Sequence, residues 1–363
     1  MRFQTLTAAV LMTAASALAA CGQGGDQKAG QPAGPQNAAA EGQVWAAGSS
    51  TVFPFATRVA ETVARTSGTA PAKVESLGTG GGFKLFCGGA GKNFPDVANA
   101  SRRMKKSEWD ACQANGVTDI LEVKIGYDGI VIANAKAAPV FDLTREQIYR
   151  ALAAEVPQGS GFAQNTAATW SALGAGLPNE RIVAYGPPPT SGTRDAFVEL
   201  AMEKGAEKLP TMAALKKSDE DGFKQRAHTL RKDGAWIDAG ENDNVIVQTL
   251  EKTPGAVGVF GYSFLENNMD RVKAAKVEGV APTLETISSG DYPLSRSLYI
   301  YVKKANIGVT PGLKEFVDGF VSEAAVGRGG YLLQRGLIPL PAAELAAQRA
   351  AVKASTPMTA PAK

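Results

Sequence analysis

From residue 43 onward, short apolar runs alternate with stretches whose apolar residues recur at helical spacing. "QVWAAGSS" (43–50) reads as a strand running into a turn. "TVFPFATRVAETVARTSG" then reads as a helix, with Phe55, Val59, Val63 and Ala64 on one face and Gly68 as its stop. "AKVESLGTGGGFKLFC" predicts a strand, a glycine-rich turn and a helix, and "DVANAS" a strand before the polar helix "KKSEWDACQANG". "ILEVKIGYDGIVIANA" (120–135) is a long β-rich run, broken on this reading at Gly126–Gly129. "DLTREQIYRALAA" is a helix capped by Asp142 or Thr144. Strand, turn and helix return in "RIVAYGPPPTSGTRDAFVELAMEKG"; helix, turn and strand follow in "ENDNVIVQTLEKTPGAVGVFGYSF". "SLYIYVKK" (297–304) alternates as a strand, and "GLKEFVDGFVSEA" and "AAELAAQRAAV" are helical. Strands alternating with helices, without a fixed-period repeat, predict an α/β fold of mostly parallel sheets flanked by helices.

The ends follow a different logic. Arg2 precedes the small, apolar run "TLTAAVLMTAASALAA" (5–20), and Cys21 follows at once. A charged start, an apolar stretch and a small-residue cleavage site make residues 1–20 a signal peptide. "LAAC" resembles the bacterial lipoprotein box, which makes Cys21 a lipidation site; ordinary secretion with cleavage near Ala20 is the other reading. Residues 21–42, rich in Gly, Gln, Ala and Pro, read as a flexible tether. The segment from about 349 looks similar, so 341–363 is expected to be a C-terminal helix followed by a flexible tail.

Charge and composition narrow the function. With 38 Lys and Arg against 35 Asp and Glu, the chain is close to neutral and shows no polyanion-binding signature, so nucleic acid is not an expected partner. Once Cys21 is set aside, Cys87 and Cys112 remain, and an exported compartment favours a disulfide between them over two buried thiols. One histidine, His228, sits in a polar helix-like stretch. It argues against a serine hydrolase triad, and one histidine with two cysteines makes no metal site. "GGAGKN" (88–93) is not a phosphate loop, because Phe86 and Asn93 stand where glycine and a hydroxyl residue are required. No cofactor is expected.

What remains is a set of hydroxyl and glycine clusters, each after a strand and before a helix: "GSSTV" (48–52), "GTGGG" (78–82) and "SGTR" (191–194). In open α/β sheets ligands bind at such strand ends, where helix N-termini favour anions. A buried tetrahedral oxyanion loses its hydration shell and needs many donors, which hydroxyls, glycine-turn N–H groups and an arginine supply. Helix capping alone would explain any one cluster.

"GSSTVFPF", "SLGTGGGFK", "VANASR", "YDGIVIAN", "SGTRDAF", "PGAVGVFGY" and "YPLSRSLYIYVK" occur in this order. Together they resemble the periplasmic phosphate-binding proteins of bacterial phosphate ABC importers, over about residues 43–340. The resemblance implies a two-lobed, type II periplasmic-binding fold with the ligand cleft between lobes. Lobe I would comprise 43–132 and 259–340, lobe II 133–258, with crossings at "GYDGIVIANA" and "GAVGVFGYSF". It implies that the chain binds inorganic phosphate outside the cytoplasm and hands it to permease subunits, as a monomer tethered to the membrane through Cys21, and that it is not an enzyme. Other oxyanions, such as sulfate or molybdate, and an exported phosphatase remain as alternatives. Carried over residue by residue, the resemblance makes Ser50, Thr51, Val52, Thr79, Gly80, Ser191, Gly192, Thr193 and Arg194 the phosphate-binding set. Two positions depart from some family members. Arg102 stands where they place an aspartate that accepts the phosphate proton, and Pro187 where they place an arginine. Arg194 is therefore expected to carry the main charge, Arg102 is a further candidate, and Asp128 is the candidate acceptor, with a turn beside Gly129 as its alternative role.

Overall fold

The computed structural model describes residues 42–159, 161–240 and 242–362. The signal peptide, Cys21 and nearly all of the tether lie outside them. Nine strands form one curled sheet: β1 (Trp45–Gly48), β2 (Lys73–Ser76), β3 (Val97–Ala100), β4 (Ile120–Ala135), β5 (Ala184–Gly186), β6 (Trp236–Asp238), β7 (Val257–Gly261), β8 (Val272–Ala274) and β9 (Ser295–Lys303). Their order is β2-β1-β3-β9-β4-β7-β5-β6, with β8 also pairing β4. Both ends of this order are parallel, as the alternation of strands and helices predicts. The centre is antiparallel, because β9 runs against β3 and β4, and β7 and β8 run against β4.

β4 is the spine. Its 16 residues are unbroken, which corrects the expected interruption at Gly126–Gly129. Residues Ile120–Gly129 pair with β9, and Ile130–Ala135 pair with β7 and β8. The glycines mark a bulge and a close approach instead of a chain break. The register with β9 passes over Ile125, and a Cβ on Gly126 would lie 2.7 Å from the Ile338 carbonyl oxygen.

The apolar residues collect into two cores at the ends of this spine. The first packs Phe55 and Val59 of α1 (Phe53–Ser67) and Phe316 and Phe320, both within Leu313–Val321, against Leu121, Val123, Leu298 and Ile300. A satellite of Phe83, Phe86 and Tyr301 adjoins it on the same sheet. The second gathers Tyr127, Ile130, Tyr149, Trp170, Phe197, Phe223 and Phe260. Membership changes along β4 between Ile125 and Tyr127, and changes back between Leu294 and Leu298 at the start of β9. The chain thus crosses at β4 and at β9, and again between Leu337 and Ile338. β7 is not a crossing, contrary to expectation: Val257, Val259 and Phe260 all belong to the second core, paired between β5 and the far half of β4. The expected divisions at 132/133 and 258/259 both fall inside that core.

"GTGGG" opens α2 (Gly78–Phe86) and is helix, not turn. A Cβ on Gly82 would sit 2.5 Å from the Gly48 Cα, so glycine is needed there for helix-on-strand packing. Thr144, not Asp142, caps the helix Arg145–Leu152 by accepting from the Gln147 N–H at 3.1 Å. Beyond 349 the chain stays helical to Ala354, within Ala342–Ala354, and the Met358 N–H then bonds the Ile120 carbonyl at 2.8 Å. The segment is docked where a flexible tail was expected.

Cys87, at the end of α2, is bonded to Cys112 within α3 (Lys106–Ala114), with the sulfurs 2.08 Å apart. Cross-linking residues this far apart restricts the unfolded chain. Replacing both by serine is expected to lower unfolding free energy by about 2–3 kcal/mol. Urea denaturation of the variant and the oxidised parent checks this; coincident midpoints would contradict it.

Candidate anion-binding cleft

A cleft of about 540 Å³ opens between the two cores. Its wall includes Ser50 and Thr51 from the first, Ser191, Gly192 and Thr193 from the second, and Asp128 from the spine. Two of the three hydroxyl clusters, some 140 residues apart in sequence, therefore meet.

The first turn is fixed by its neighbours. Ser49 N–H donates to the Asn99 carbonyl at 2.8 Å, and its own carbonyl accepts from Phe53 N–H at 2.9 Å to start α1. The Ser49 hydroxyl accepts from Val52 N–H at 3.4 Å, so the backbone donor expected of Val52 is engaged within the turn. Among the described residues the Ser50 hydroxyl forms no hydrogen bond. The second turn leads into α4 (Gly192–Phe197), which continues as one helical run to Ala206. Ser191 caps it by accepting from Thr193 N–H at 3.2 Å. Gly192 lies against the first turn: a Cβ there would be 2.8 Å from the Ser50 carbonyl oxygen, and the Thr51 hydroxyl donates to the Gly192 carbonyl at 3.3 Å. Two helix N-termini converge on one point, and their dipoles make it favourable for negative charge.

Among the described residues the cleft wall itself carries Arg335; Arg296, on β9 directly opposite Asp128 on β4, stands behind the wall and meets two of its residues, Thr51 and Asp128. Its Nη2 donates to the Thr51 hydroxyl, its Nη1 to Glu199, and its Nε stands 3.5 Å from Asp128 Oδ2. The side chain is only 8% exposed. Asp128 Oδ2 and Arg296 Nε are both buried without a hydrogen-bond partner. Such orphans are uncommon in a native interior, and here the two atoms face each other as an ion pair without hydrogen-bond geometry. Burial pushes the Asp128 carboxyl above its ordinary range, while Arg296 pulls it back down. Asp128 is a strand residue, so its turn role is excluded.

Other expected residues are elsewhere engaged. Arg194 does not line the cleft. Its Nη1 donates to the Pro187 carbonyl at 3.1 Å and to Asp238 at 3.0 Å, and its guanidinium lies 4.6 Å from the centre of the Trp236 ring. Helical side chains lean toward the helix N-terminus, and this one reaches the Pro187 and Asp238 side of that end, away from the cleft wall. Arg102 forms a two-pronged pair with Glu108 at 2.7 and 2.9 Å and covers Phe83. Thr79 is turned to Ser101, accepting its N–H at 3.1 Å with the hydroxyls 3.0 Å apart. Gly80 lies on the exposed side of α2, and only Ser76 from that segment reaches the cleft. His228 pairs with Glu203 at 2.6 Å and is not part of the cleft wall. Sequence reasoning missed Arg296. It stands in "YPLSRSLYIYVK", but its placement opposite Asp128 is a matter of sheet register, which the sequence does not display.

A family model described as a PBP superfamily domain matches residues 33–324. The chain is 32% identical to the phosphate-binding protein PstS of Staphylococcus saprophyticus over 330 residues, covering 89% of this chain and 86% of that protein. It is 31% identical to the protein SphX of Synechococcus elongatus over 310 residues, covering 82% and 78%. Among solved structures, a possible phosphate-binding protein from Planctomyces limnophilus superposes with a TM-score of 0.68 at 27% identity, covering 86% of this chain and 98% of that one. An ABC-type phosphate transport receptor from Vibrio cholerae shares the fold, with a TM-score of 0.55 at 22% identity. The chain belongs to the PBP superfamily and, within it, to the family of the PstS phosphate-binding proteins.

Proposed function

We propose that this chain binds inorganic phosphate outside the cytoplasm, without turning it over, and delivers it to the permease of an ABC importer. The observation that carries the reading is the Arg296–Asp128 pair, buried and unsatisfied where two hydroxyl- and glycine-rich helix starts meet. Ser50, Thr51, Ser191, Gly192 and Thr193 supply neutral donors, Arg296 the positive charge and Asp128 an acceptor for the proton that phosphate carries. Sulfate brings no such proton, so a buried carboxylate opposes it. The names of the relatives support the same ligand. Lobe I is then 43–126 with 295–337 and the C-terminal helix, and lobe II is 127–294 with 338–340, following the two cores, so that a ligand held by both stabilises the closed form that a permease recognises.

Calorimetric titration with phosphate, sulfate and molybdate tests the reading. One phosphate per chain, bound far more tightly than the other two, is expected; equal binding of sulfate, or no binding of phosphate, would overturn it. Incubation with a generic phosphate ester, with and without divalent metal, should give no turnover.

Closure depends on Gly192. Placing a methyl group against the Ser50 backbone forces the two turns apart. Gly192→Ala should weaken phosphate binding by about 1–2 kcal/mol with little change in melting temperature. Undiminished affinity would show that the turns need not touch.

The anchor at Cys21 is part of the same proposal. Multiple acyl chains hold a protein at the membrane stably, whereas one does so marginally. Cys21→Ala should move the protein into the soluble fraction, and retention in the membrane fraction would count against the anchor.

A further inference from the structure

Arg296 is the cation of the proposed phosphate site, yet its fork is already occupied. Nη1 donates to Glu199 and Nη2 to Thr51, while Nε faces Asp128. Glu199 differs in kind from the other two partners. It comes from the helical run that follows "SGTR", whose neighbours Val198, Ala201 and Met202 belong to the second core. Thr51 belongs to a turn whose next residue, Val52, is in the first core. Through Arg296 the carboxylate of Glu199 therefore ties the second lobe to the first, beside the Thr51–Gly192 contact. Its side chain is 48% exposed, so it can swing out to water at small cost, while Arg296 is 8% exposed and cannot.

The helix dipoles favour an anion at this point, but the side-chain charges as they stand do not. Arg296 faces two carboxylates, Asp128 and Glu199, while Arg335 and Asp243 also stand on the cleft wall, so with these groups ionised the local sum is negative. Phosphate arriving with both carboxylates in place would be repelled by both. Asp128 is fixed in the sheet, and only Glu199 can leave. Glu199 also acts on Asp128, adding to what holds that carboxyl above its ordinary range.

We infer that Glu199 is an internal stand-in for the ligand: its carboxylate occupies Arg296 and latches the lobes when phosphate is absent, and phosphate must displace it to bind. Glu199 is thus an affinity-setting residue of the site, and this role rests on the phosphate reading given above. A ligand that replaces an internal anion loses the stability of the contact it breaks, so removing the charge tightens binding.

The test uses the full mature chain and three proteins: the parent, Glu199→Gln and Glu199→Asp. Two readouts are taken. Calorimetry with inorganic phosphate should show Glu199→Gln binding on the order of tenfold to a hundredfold more tightly than the parent. Glu199→Asp, which keeps the charge, should remain near the parent. Small-angle scattering without phosphate should give a larger radius of gyration for Glu199→Gln than for the parent, with the difference abolished by saturating phosphate. Because Glu199 is half-exposed, melting temperature should change little, and that measurement guards against a variant that is merely misfolded. Unchanged or weaker phosphate binding by a folded Glu199→Gln would overturn the inference, as would an unchanged radius of gyration. If the parent itself fails to bind phosphate, the phosphate reading falls, and the ligand-free scattering still decides whether Glu199 latches the lobes.

Discussion

Arg296→Ala is expected to weaken phosphate binding by about 2–5 kcal/mol, roughly thirty-fold to several-thousand-fold. The reason is the position of its charge. Arg296 lies at the junction of both lobes, bonded to Thr51 and facing Asp128, and almost no solvent reaches it. Without it a buried dianion would meet neutral donors and an unpaired carboxylate, which is the costly way to break a buried charge pair. Arg296→Lys should recover only part of the loss, because an ammonium cannot present a planar fork to the anion and Thr51 together. The contrast with Arg194→Ala is the sharper test. Arg194 steadies the loop before "SGT" through the Pro187 carbonyl and stacks on Trp236, so its loss should cost about tenfold or less, through loop order. Calorimetry on the two variants decides between them. Loss of binding in Arg194→Ala with near-parental affinity in Arg296→Ala would reverse the assignment.

Asp128→Asn is expected to reduce the preference for phosphate over sulfate by about a hundredfold, equivalent to ~3 kcal/mol. At pH 7 phosphate still carries a proton and sulfate carries none. A carboxylate accepts that proton's hydrogen bond and repels an anion that lacks one. The buried Asp128 carboxyl is raised above its ordinary range, chiefly by desolvation, which gives the discrimination a pH dependence of definite sign. Above its folded-state pKa the group is ionised and excludes sulfate. As pH falls through that value it gains a proton and becomes a donor, so sulfate binding should strengthen relative to phosphate. The asparagine variant keeps the shape but cannot titrate, so its selectivity should be low and nearly flat with pH. Parental selectivity in Asp128→Asn, with the same pH profile, would remove Asp128 from the site.

Much of the fold can be read in the sequence because its signals are local. Apolar spacing marks α1, Thr144 announces a helix start, and the order of strand–turn–helix units gives the parallel ends of the sheet. The misreadings share one cause, since each depends on what a segment meets from afar. The glycines of "GTGGG" look like a turn until β1 is seen to press on Gly82. Gly126 and Gly129 look like a break until β9 and the Ile338 segment are placed against β4. The resemblance implies that β7 is a lobe crossing, yet it pairs only with β5 and with the half of β4 that lies in the second core. The site divides in the same way. "GSST" and "SGT" carry their chemistry in sequence, through hydroxyls and glycines at helix starts. The charges do not: Arg194 stands beside "SGT" in sequence but pairs with Asp238 and the Pro187 carbonyl in space, while the role proposed for Arg296 rests on a register of β9 on β4.

The most direct measurement is a crystal structure of the mature protein with inorganic phosphate bound. The account predicts one phosphate between the start of α1 and the "SGT" turn, with oxygens bonded to Arg296, Ser50, Thr51 and the Ser191–Thr193 turn. One protonated oxygen should face Asp128, and Glu199 should be turned away from Arg296. Phosphate bound instead at Arg194 or at Thr79 and Arg102, with the Arg296–Glu199 pair intact, would contradict it.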